Sequence, residues 1–386
     1  MRLTAPAALL AAMGVLAVHA QPLDTSSLPF RPAVVAGGLI YVSGVIATDA
    51  QGNTRGDIRE QTRIVLQRIN EVLAAHKVSL HDAVKITVYL KRADDFGAMN
   101  EVYKTFVGDA PAPRTTVVAN LMVPDALIEV SAIAAASGTS RRVLHPQGWL
   151  RSPNPYSYAV EAGDTVFLSG LVARNAADNS LVPGDMTAQC KTVLENARAL
   201  LNAAGLGFEH VVSARVFVTD LSQFQAMNQV YRTYFPKAPP ARATVRAALM
   251  QPSYLVEMTF VASRAPREVI AGDGPPNPNL SPAVRAGSRL YLSGMLGVTP
   301  DSRSDAGAQT RETLRRLGAT MTKAGFAWSD VVDSIVYLTR VSHFGAMNAA
   351  YREIVPRPFP ARATVEAGLA APDGLVEIMM TAVKPQ

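Results

Sequence analysis

The stretch FQAMNQVY at residues 224–231 decides the organisation of this chain, because two close copies of it occur elsewhere. FGAMNEVY stands at residues 96–103 and FGAMNAAY at residues 344–351. Self-similarity at a fixed period is the signature of an architecture built from repeats of one unit. We therefore predict three tandem units of about 120 residues each.

The same polar residues surround each copy at fixed distances. A β-like run ending in Ser-Gly comes before the stretch, and an Arg-x-Thr-Val run followed by a glutamate comes after it. The arginine follows the asparagine by 14 residues, and the glutamate follows the arginine by 15, in every copy. These residues are Ser43, Gly44, Asn100, Arg114, Thr116 and Glu129, then Ser169, Gly170, Asn228, Arg242, Thr244 and Glu257, then Ser293, Gly294, Asn348, Arg362, Thr364 and Glu377.

Each unit has the pattern strand, strand, helix, strand, helix, strand, strand. In the second unit, three-to-four spacing of apolar residues predicts a helix over 185–204, and a valine-rich alternation predicts a strand over 211–219. We expect 242–249 to pair with 254–262 as a hairpin. The pattern predicts an α+β unit with two helices on one sheet face. The other face needs a cover, so we expect the units to cover one another as an intramolecular pseudo-trimer.

The first 20 residues differ from the units and indicate a signal peptide. Arg2 gives a positive start, residues 5–17 are almost wholly apolar, and small residues precede the expected cleavage site after Ala20. A periplasmic or secreted protein is therefore expected, with no membrane segment in its mature form. The expected units span residues 21–138, 146–264 and 268–386.

Several alternative chemistries are disfavoured by the sequence. Cys190 is the only cysteine, and it lies on the apolar stripe of a predicted helix, so we expect a core residue and not a nucleophile. The recurring serines have no nearby histidine, which disfavours a hydrolase triad. Only His76 and His81 lie close together among the histidines, which is a poor metal-site spacing.

The charge distribution does not indicate a nucleic-acid surface. The chain has 37 Lys and Arg against 31 Asp and Glu, and no block of like charges occurs. We expect a small-molecule carboxylate as the partner, and a single chain as the functional form.

The motifs taken together resemble the reactive intermediate deaminase family, also called RidA or YjgF. The resemblance covers nearly all of the mature chain in three tandem repeats. It implies the RidA-like, chorismate mutase-like fold in each unit. Members of that family are typically homotrimers with clefts between subunits, so the resemblance implies a covalent pseudo-trimer with three clefts between its own repeats.

The resemblance also implies roles for the recurring residues. The arginine binds a substrate carboxylate, the glutamate positions water or moves a proton, and the serine, glycine, asparagine and threonine line the cleft. A tyrosine from the first segment is matched by Tyr156, whereas Phe30 and Leu280 stand at that position in the other units. The implied reaction is cofactor-independent deamination of 2-imino and enamine acids. Because the second unit is complete, we expect Arg242 to matter most.

Four alternatives remain open at this stage. Arginine and glutamate could form a structural ion pair, although the expected hairpin register places Glu377 opposite Gly368 and not opposite Arg362. The asparagines could cap a loop or contact substrate. The protein could also be a non-catalytic binding module for carboxylates, which export favours, because enzymes that generate aminoacrylate are expected in the cytoplasm. RNA cleavage ranks last, because an exported protein meets little RNA.

Overall fold

The computed structural model describes residues 28–49, 51–272 and 275–385. The predicted signal peptide and its cleavage site lie outside these residues. The first unit consists of β1 (Ala33–Ala36), β2 (Leu39–Ile46), α1 (Ile58–Ala74), β3 (Ala83–Leu90), α2 (Phe96–Val107), β4 (Arg114–Val118), β5 (Asn120–Leu121) and β6 (Ile128–Ala135).

The second and third units repeat the order of the helices and long strands, and each begins with one further strand. The second consists of β7 (Arg141–Leu144), β8 (Ala159–Ala162), β9 (Thr165–Leu168), α3 (Met186–Ala203), β10 (Val211–Val218), α4 (Phe224–Tyr234), β11 (Ala241–Arg246) and β12 (Val256–Ser263). The third consists of β13 (Arg267–Ile270), β14 (Ala283–Ala286), β15 (Arg289–Leu292), β16 (Met295–Leu296), α5 (Ala306–Lys323), β17 (Val331–Leu338), α6 (Phe344–Ile354), β18 (Ala361–Glu366), β19 (Gly368–Leu369) and β20 (Val376–Val383).

Aspartate side chains fix the start of the first helix of each unit. Asp57, Asp185 and Asp305 each accept a hydrogen bond from the backbone N–H three residues later, which satisfies a donor that the helix leaves unpaired. The helix predicted over 185–204 is confirmed as α3, with Cys190 fully buried in its apolar stripe. Burial raises the pKa of the Cys190 thiol to about 12, as suits a core residue.

In each unit the second helix connects two parallel strands. β10 pairs in parallel with β11 and antiparallel with β12, and α4 supplies the long crossover that a parallel pair requires. The predicted hairpin between 242–249 and 254–262 is therefore wrong, because β10 lies between its two strands. The expected register is wrong for the same reason, since Glu377 pairs with Tyr337 of β17.

The three sheets turn their helix-free faces toward one another. Val84, Val212 and Val332 occupy equivalent positions on β3, β10 and β17, and all three are buried in one apolar cluster drawn from every unit. A second shared cluster includes Tyr89, Phe217 and Tyr337. The units thus cover one another's sheets, and the predicted pseudo-trimeric arrangement is confirmed.

The units also exchange backbone hydrogen bonds around a closed ring. β5 of the first unit pairs with β18 of the third, and β19 of the third pairs with β11 of the second. Val118 of the first unit completes the ring through a bridge to Ala248 of the second. Each unit thereby covers a sheet edge that would otherwise carry unpaired backbone groups. In the described parts of the chain, no helix combines the length and apolar character needed to cross a membrane.

Candidate active site

Each unit places its arginine at the start of a buried strand on the border with another unit. Arg114 is the first residue of β4, and Arg242 and Arg362 are the second residues of β11 and β18. None is more than 3% exposed. A tyrosine ring from the second helix of the same unit lies against each guanidinium, which offsets part of the lost hydration. The distances from Cζ to the ring centroid are 4.6 Å for Tyr103, 4.5 Å for Tyr231 and 5.0 Å for Tyr351.

Loss of hydration is the largest influence on the pKa of these arginines. Burial lowers the pKa of all three, and that of Arg362 falls to about 10. They therefore remain charged at neutral pH. Each retains at least one buried guanidinium nitrogen without a hydrogen-bond partner. Because an unpaired buried donor is costly, each arginine is suited to accept an anionic ligand.

The recurring asparagine orients the arginine in two of the units. Arg242 Nη2 donates to Asn228 Oδ1 at 2.8 Å, and Arg362 Nη2 donates to Asn348 Oδ1 at 2.6 Å. Asn100 instead donates from Nδ2 to Asn154 Oδ1 at 3.2 Å, and its own Oδ1 is buried without a partner. Asn228 and Asn348 therefore orient the arginine of their own unit, a contact that the sequence did not predict.

Each glutamate faces the arginine of a different unit. Glu257 of the second unit lies near Arg114 of the first, Glu129 lies near Arg362, and Glu377 lies near Arg242. Burial raises the pKa of each of these carboxyl groups to about 8, and the facing arginine lowers it only in part. No ion pair joins these arginines and glutamates among the described residues, since neither group comes within ion-pairing distance of the other. The ion-pair alternative is therefore excluded for them.

The Ser-Gly glycines provide the space that these carboxylates occupy. A Cβ added to Gly170 would lie 1.8 Å from Glu257 Oε1, and one added to Gly294 would lie 1.9 Å from Glu377 Oε1. The corresponding distance for Gly44 is 2.0 Å, again to the facing glutamate. Any larger residue at these positions would displace the carboxylate.

The recurring serines have two different environments. The backbone N–H groups of Arg242 and Arg362 each donate to the hydroxyl of a serine in the neighbouring unit, Ser293 and Ser43, at 2.8 Å. These serines therefore join units. Ser169 Oγ is buried without a hydrogen-bond partner beside Arg114, and Gly170 N–H donates to the Arg114 carbonyl at 3.0 Å. Only at this border is the serine hydroxyl still available.

The Arg114 cleft, bounded by Arg114 and Thr116 of the first unit and by Gly170 and Glu257 of the second, holds a cavity of about 100 Å³. Tyr156 lies in its wall, with its ring centroid 5.7 Å from Arg114 Cζ. The tyrosine therefore lies with Arg114 and not with Arg242. The reason for expecting Arg242 to matter most, a complete set of residues around it, does not hold. Two residues of the same unit can therefore line different clefts, because each cleft is formed by two units.

The Arg362 cleft, bounded by Arg362 and Thr364 of the third unit and by Gly44 and Glu129 of the first, holds a cavity of about 230 Å³. Phe30 takes the place of Tyr156, with its ring centroid 5.4 Å from Arg362 Cζ. The third border brings Arg242 to Glu377 and Gly294. There the half-buried Leu280 stands at the tyrosine position, and Thr244 Oγ1 is buried without a hydrogen-bond partner.

Sequence reasoning missed several residues of the Arg114 cleft. Arg174, Tyr254 and Gln251 line its cavity together with Phe96 and Asn154. Phe96 recurs as Phe224 and Phe344, whereas Arg174, Tyr254, Gln251 and Asn154 do not recur in all three units, so a search for shared residues passes over these four. A comparison of the units position by position would have marked Arg174, since Thr48 and Val298 stand five residues after the other two serines.

Three α+β units that share clefts at their borders define a fused trimer of one small fold. The family described as Endoribonuclease L-PSP matches the chain three times, at residues 23–136, 149–264 and 274–384. The chain therefore belongs to this family, and the resemblance to RidA and YjgF proteins is confirmed.

Individual relatives correspond to one unit of the chain. DfrA of Myxococcus xanthus is 42% identical over 125 residues, which cover 32% of this chain and 95% of the relative. The 2-iminobutanoate/2-iminopropanoate deaminase of Mus musculus is 36% identical over 130 residues, covering 34% of this chain and 96% of the relative. The crystal structure of the YjgF gene product of E. coli is 28% identical, covers 32% of this chain and 98% of that chain, and has a TM-score of 0.30.

Proposed function

We propose that this protein hydrolyses small 2-imino acids and their enamine tautomers to 2-keto acids and ammonia. Support comes from its family, in which relatives carry the name 2-iminobutanoate/2-iminopropanoate deaminase. It comes also from the clefts, where a buried guanidinium and a buried carboxyl group of raised pKa face each other across a cavity. We assign the main activity to the Arg114 cleft. Because each cleft is formed by two units of the same chain, a single chain suffices.

Substrate binding follows from the geometry of the guanidinium. A planar fork of N–H donors holds a carboxylate through two parallel hydrogen bonds, which lysine cannot reproduce. Arg114 Nη1 is buried without a partner and can donate one of these bonds. The carboxylate of a 2-imino acid is bonded directly to the electrophilic imine carbon. Binding of the carboxylate by Arg114 therefore fixes the imine carbon relative to Glu257, and this fixed orientation raises the reaction rate.

Glu257 performs the proton transfers in this proposal. Its carboxylate takes a proton from water as the water oxygen bonds to the imine carbon, and the C=N π pair moves to nitrogen. The proton then passes to that nitrogen. Glu257 carries the remaining hydroxyl proton to the same nitrogen as C=O forms, and the C–N bond breaks so that ammonia leaves. For an enamine, the protonated carboxyl group first donates to the β-carbon. A carboxyl pKa of about 8 suits both transfers near neutral pH.

The observation that carries this proposal is the placement of Glu257 opposite Arg114 across an open cavity with no ion pair between them. A structural pair would be in direct contact. Here the arginine keeps an unused donor, the glutamate keeps a high pKa, and the space between them admits a small molecule.

The test uses the purified chain from residue 21 onward and an amino-acid oxidase that releases 2-imino acids, with semicarbazide as the trap for the imine. We expect faster loss of imine, hence less semicarbazone, in proportion to the protein added. The triple variant Arg114→Met, Arg242→Met and Arg362→Met should abolish the effect, because methionine keeps much of the length but none of the donors. Thermal unfolding of the variant verifies that it folds.

Two other outcomes would replace the proposal. If no imino acid in a broad panel is consumed faster, and 2-keto acids bind with an affinity that the triple variant lacks, the protein is a carboxylate-binding module. If RNA is cut instead, with an affinity that falls steeply as salt rises, the protein is a nuclease.

A further inference from the structure

The Arg114 and Arg362 clefts are built from equivalent segments but differ in the polarity of the residues that line them. Equivalent positions can be compared directly, because both clefts use the same segments of their respective units. The pairs, given with the Arg114 cleft first, are Arg174 and Thr48, Gln251 and Val123, Asn154 and Leu28, and Tyr156 and Phe30. At all four positions the Arg114 cleft has the more polar or more strongly hydrogen-bonding residue.

Arg174 is the largest of these differences, and its guanidinium is held in place at the cavity wall. Nε donates to the Tyr254 hydroxyl and Nη1 donates to the Asn179 carbonyl, so neither bond uses Nη2. The Tyr254 ring centroid lies 5.4 Å from Arg174 Cζ. No carboxylate of the described residues forms an ion pair with Arg174. A second cation thus lies in the same cavity as Arg114.

The charge balance of the Arg114 cleft favours a ligand with two negative groups. Among the described residues that line it, the only acid is Glu257, which burial keeps largely protonated at neutral pH. One substrate carboxylate on Arg114 therefore leaves the charge of Arg174 unbalanced. In the Arg362 cleft the wall beyond the arginine consists mainly of apolar side chains, including Phe30, Ile46, Val123 and Phe344.

We propose that Arg174 is a specificity-determining residue that binds a second, side-chain carboxylate. The Arg114 cleft then prefers 2-imino dicarboxylic acids, whereas the Arg362 cleft prefers 2-imino acids with apolar side chains. This assignment rests on the proposed deaminase function and specifies its substrate classes. Since a guanidinium–carboxylate contact depends on charge and geometry together, the side chain must be acidic and long enough to reach from Arg114 to Arg174.

The test compares imines released from glutamate and from leucine by suitable oxidases. The background is Arg242→Met with Arg362→Met, so that only the Arg114 cleft keeps its clamp. Arg174→Thr, which copies the residue of the other cleft, should lower the ratio of kcat/KM for the acidic over the apolar imine by about tenfold or more. Thr48→Arg, made with Arg114→Met and Arg242→Met, is the matched reciprocal change and should raise that ratio in the Arg362 cleft.

An unchanged ratio in Arg174→Thr, with both substrates slowed equally, would overturn the proposal and leave Arg174 as a support for Tyr254. The proposal would also be overturned if the Arg114 and Arg362 clefts, each tested without a change at Arg174 or Thr48, gave the same ratio of kcat/KM for the acidic over the apolar imine. Should no imine be turned over at all, the deaminase function fails, and calorimetry with 2-oxoglutarate and 4-methyl-2-oxopentanoate tests the specificity separately. In that case Arg174→Thr must weaken binding of the dicarboxylate selectively, and equal affinities would refute the role of Arg174.

Discussion

The ring of Tyr156 lies 5.7 Å from the guanidinium carbon of Arg114, although the two residues belong to different units of the chain. Each candidate site is assembled in this way, with an arginine from one unit and a glutamate from another. The recurring site residues of any one unit are therefore divided between two clefts, one at each border with a neighbouring unit. This relationship determines which substitutions should abolish activity and which should not.

Chains that retain only one of the three arginines should differ strongly in activity. The variant Arg242→Met with Arg362→Met keeps the Arg114 cleft, which has Tyr156 in its wall. With an acidic 2-imino acid we expect it to keep at least half of the kcat/KM of the unsubstituted protein. Substituting Arg114 as well should cost about 100-fold, which corresponds to roughly 3 kcal/mol of lost charge-assisted hydrogen bonding.

The reciprocal variant, Arg114→Met with Arg362→Met, retains only Arg242 and should be the least active. Initial rates with trapped imine measure all three single-arginine chains side by side. Equal rates in the three would show that the aromatic position and the open cavity do not matter. The highest rate in the Arg242 chain would restore the order that the sequence alone suggested.

Gly170→Ala should impair catalysis without unfolding the chain. The added Cβ would lie 1.8 Å from Glu257 Oε1, so the carboxylate must move away from its position. A displacement of about 1 Å at a reacting group can cost about 100-fold in rate. Gly345→Ala is the matched control, because the same added atom meets nothing within 4 Å at that helical position. We expect full activity in the control, and comparable activity in Gly170→Ala would mean that Glu257 need not be held there.

The family and the three-unit fold could be predicted from the recurring residues. The spacing from asparagine to arginine is 14 residues and that from arginine to glutamate is 15 in every copy. The strand order was not predictable from period-two alternation, which cannot reveal that β10 inserts between β11 and β12. Nor could the pairing of units be deduced, since identical spacings in all three copies fit either direction around the ring. Arg174 was missed because it differs between units, and a comparison restricted to shared residues ignores such positions.

The pH dependence of the reaction should report the titration of Glu257. Its folded-state pKa is raised by burial to about 8. Below that pH the carboxyl group is protonated and cannot accept a proton from water. In the Arg242→Met, Arg362→Met background, kcat/KM for imine hydrolysis should therefore rise with pH up to about 8 and level off above it, because kcat/KM reports the free protein.

Glu257→Gln should remove this dependence and lower the rate by about 100-fold or more, the usual contribution of general acid–base catalysis. Glu129→Gln offers a matched control, since Glu129 has the same raised pKa but faces Arg362, which is absent from that background. A flat pH profile before substitution, or loss of the profile in Glu129→Gln, would contradict the assignment.

Covalent linkage allows the residues at the centre of the pseudo-trimer to differ, and we expect stability to depend on that difference. Lys85, Ser213 and Asp333 stand at equivalent positions of β3, β10 and β17, and Lys85 and Asp333 line one cavity of about 20 Å³ with Arg215. Three identical lysines there would repel one another. Burial lowers the pKa of Lys85 and raises that of Asp333, while the charge of each favours ionisation of the other.

Asp333→Asn should therefore destabilise the chain by about 1 kcal/mol, because it removes the negative charge that acts on the half-buried Lys85 and the buried Arg215. Urea unfolding measures the change, and Asp94→Asn on the exposed surface should alter stability by less than about 0.5 kcal/mol. Adding Lys85→Met to Asp333→Asn should recover much of the loss, since Arg215 keeps its hydrogen bond to Thr87 at 2.9 Å. If Lys85→Met lowers the free energy of unfolding further instead, Lys85 and Asp333 contribute independently through packing. The attraction between their charges would then not account for the stability of this centre.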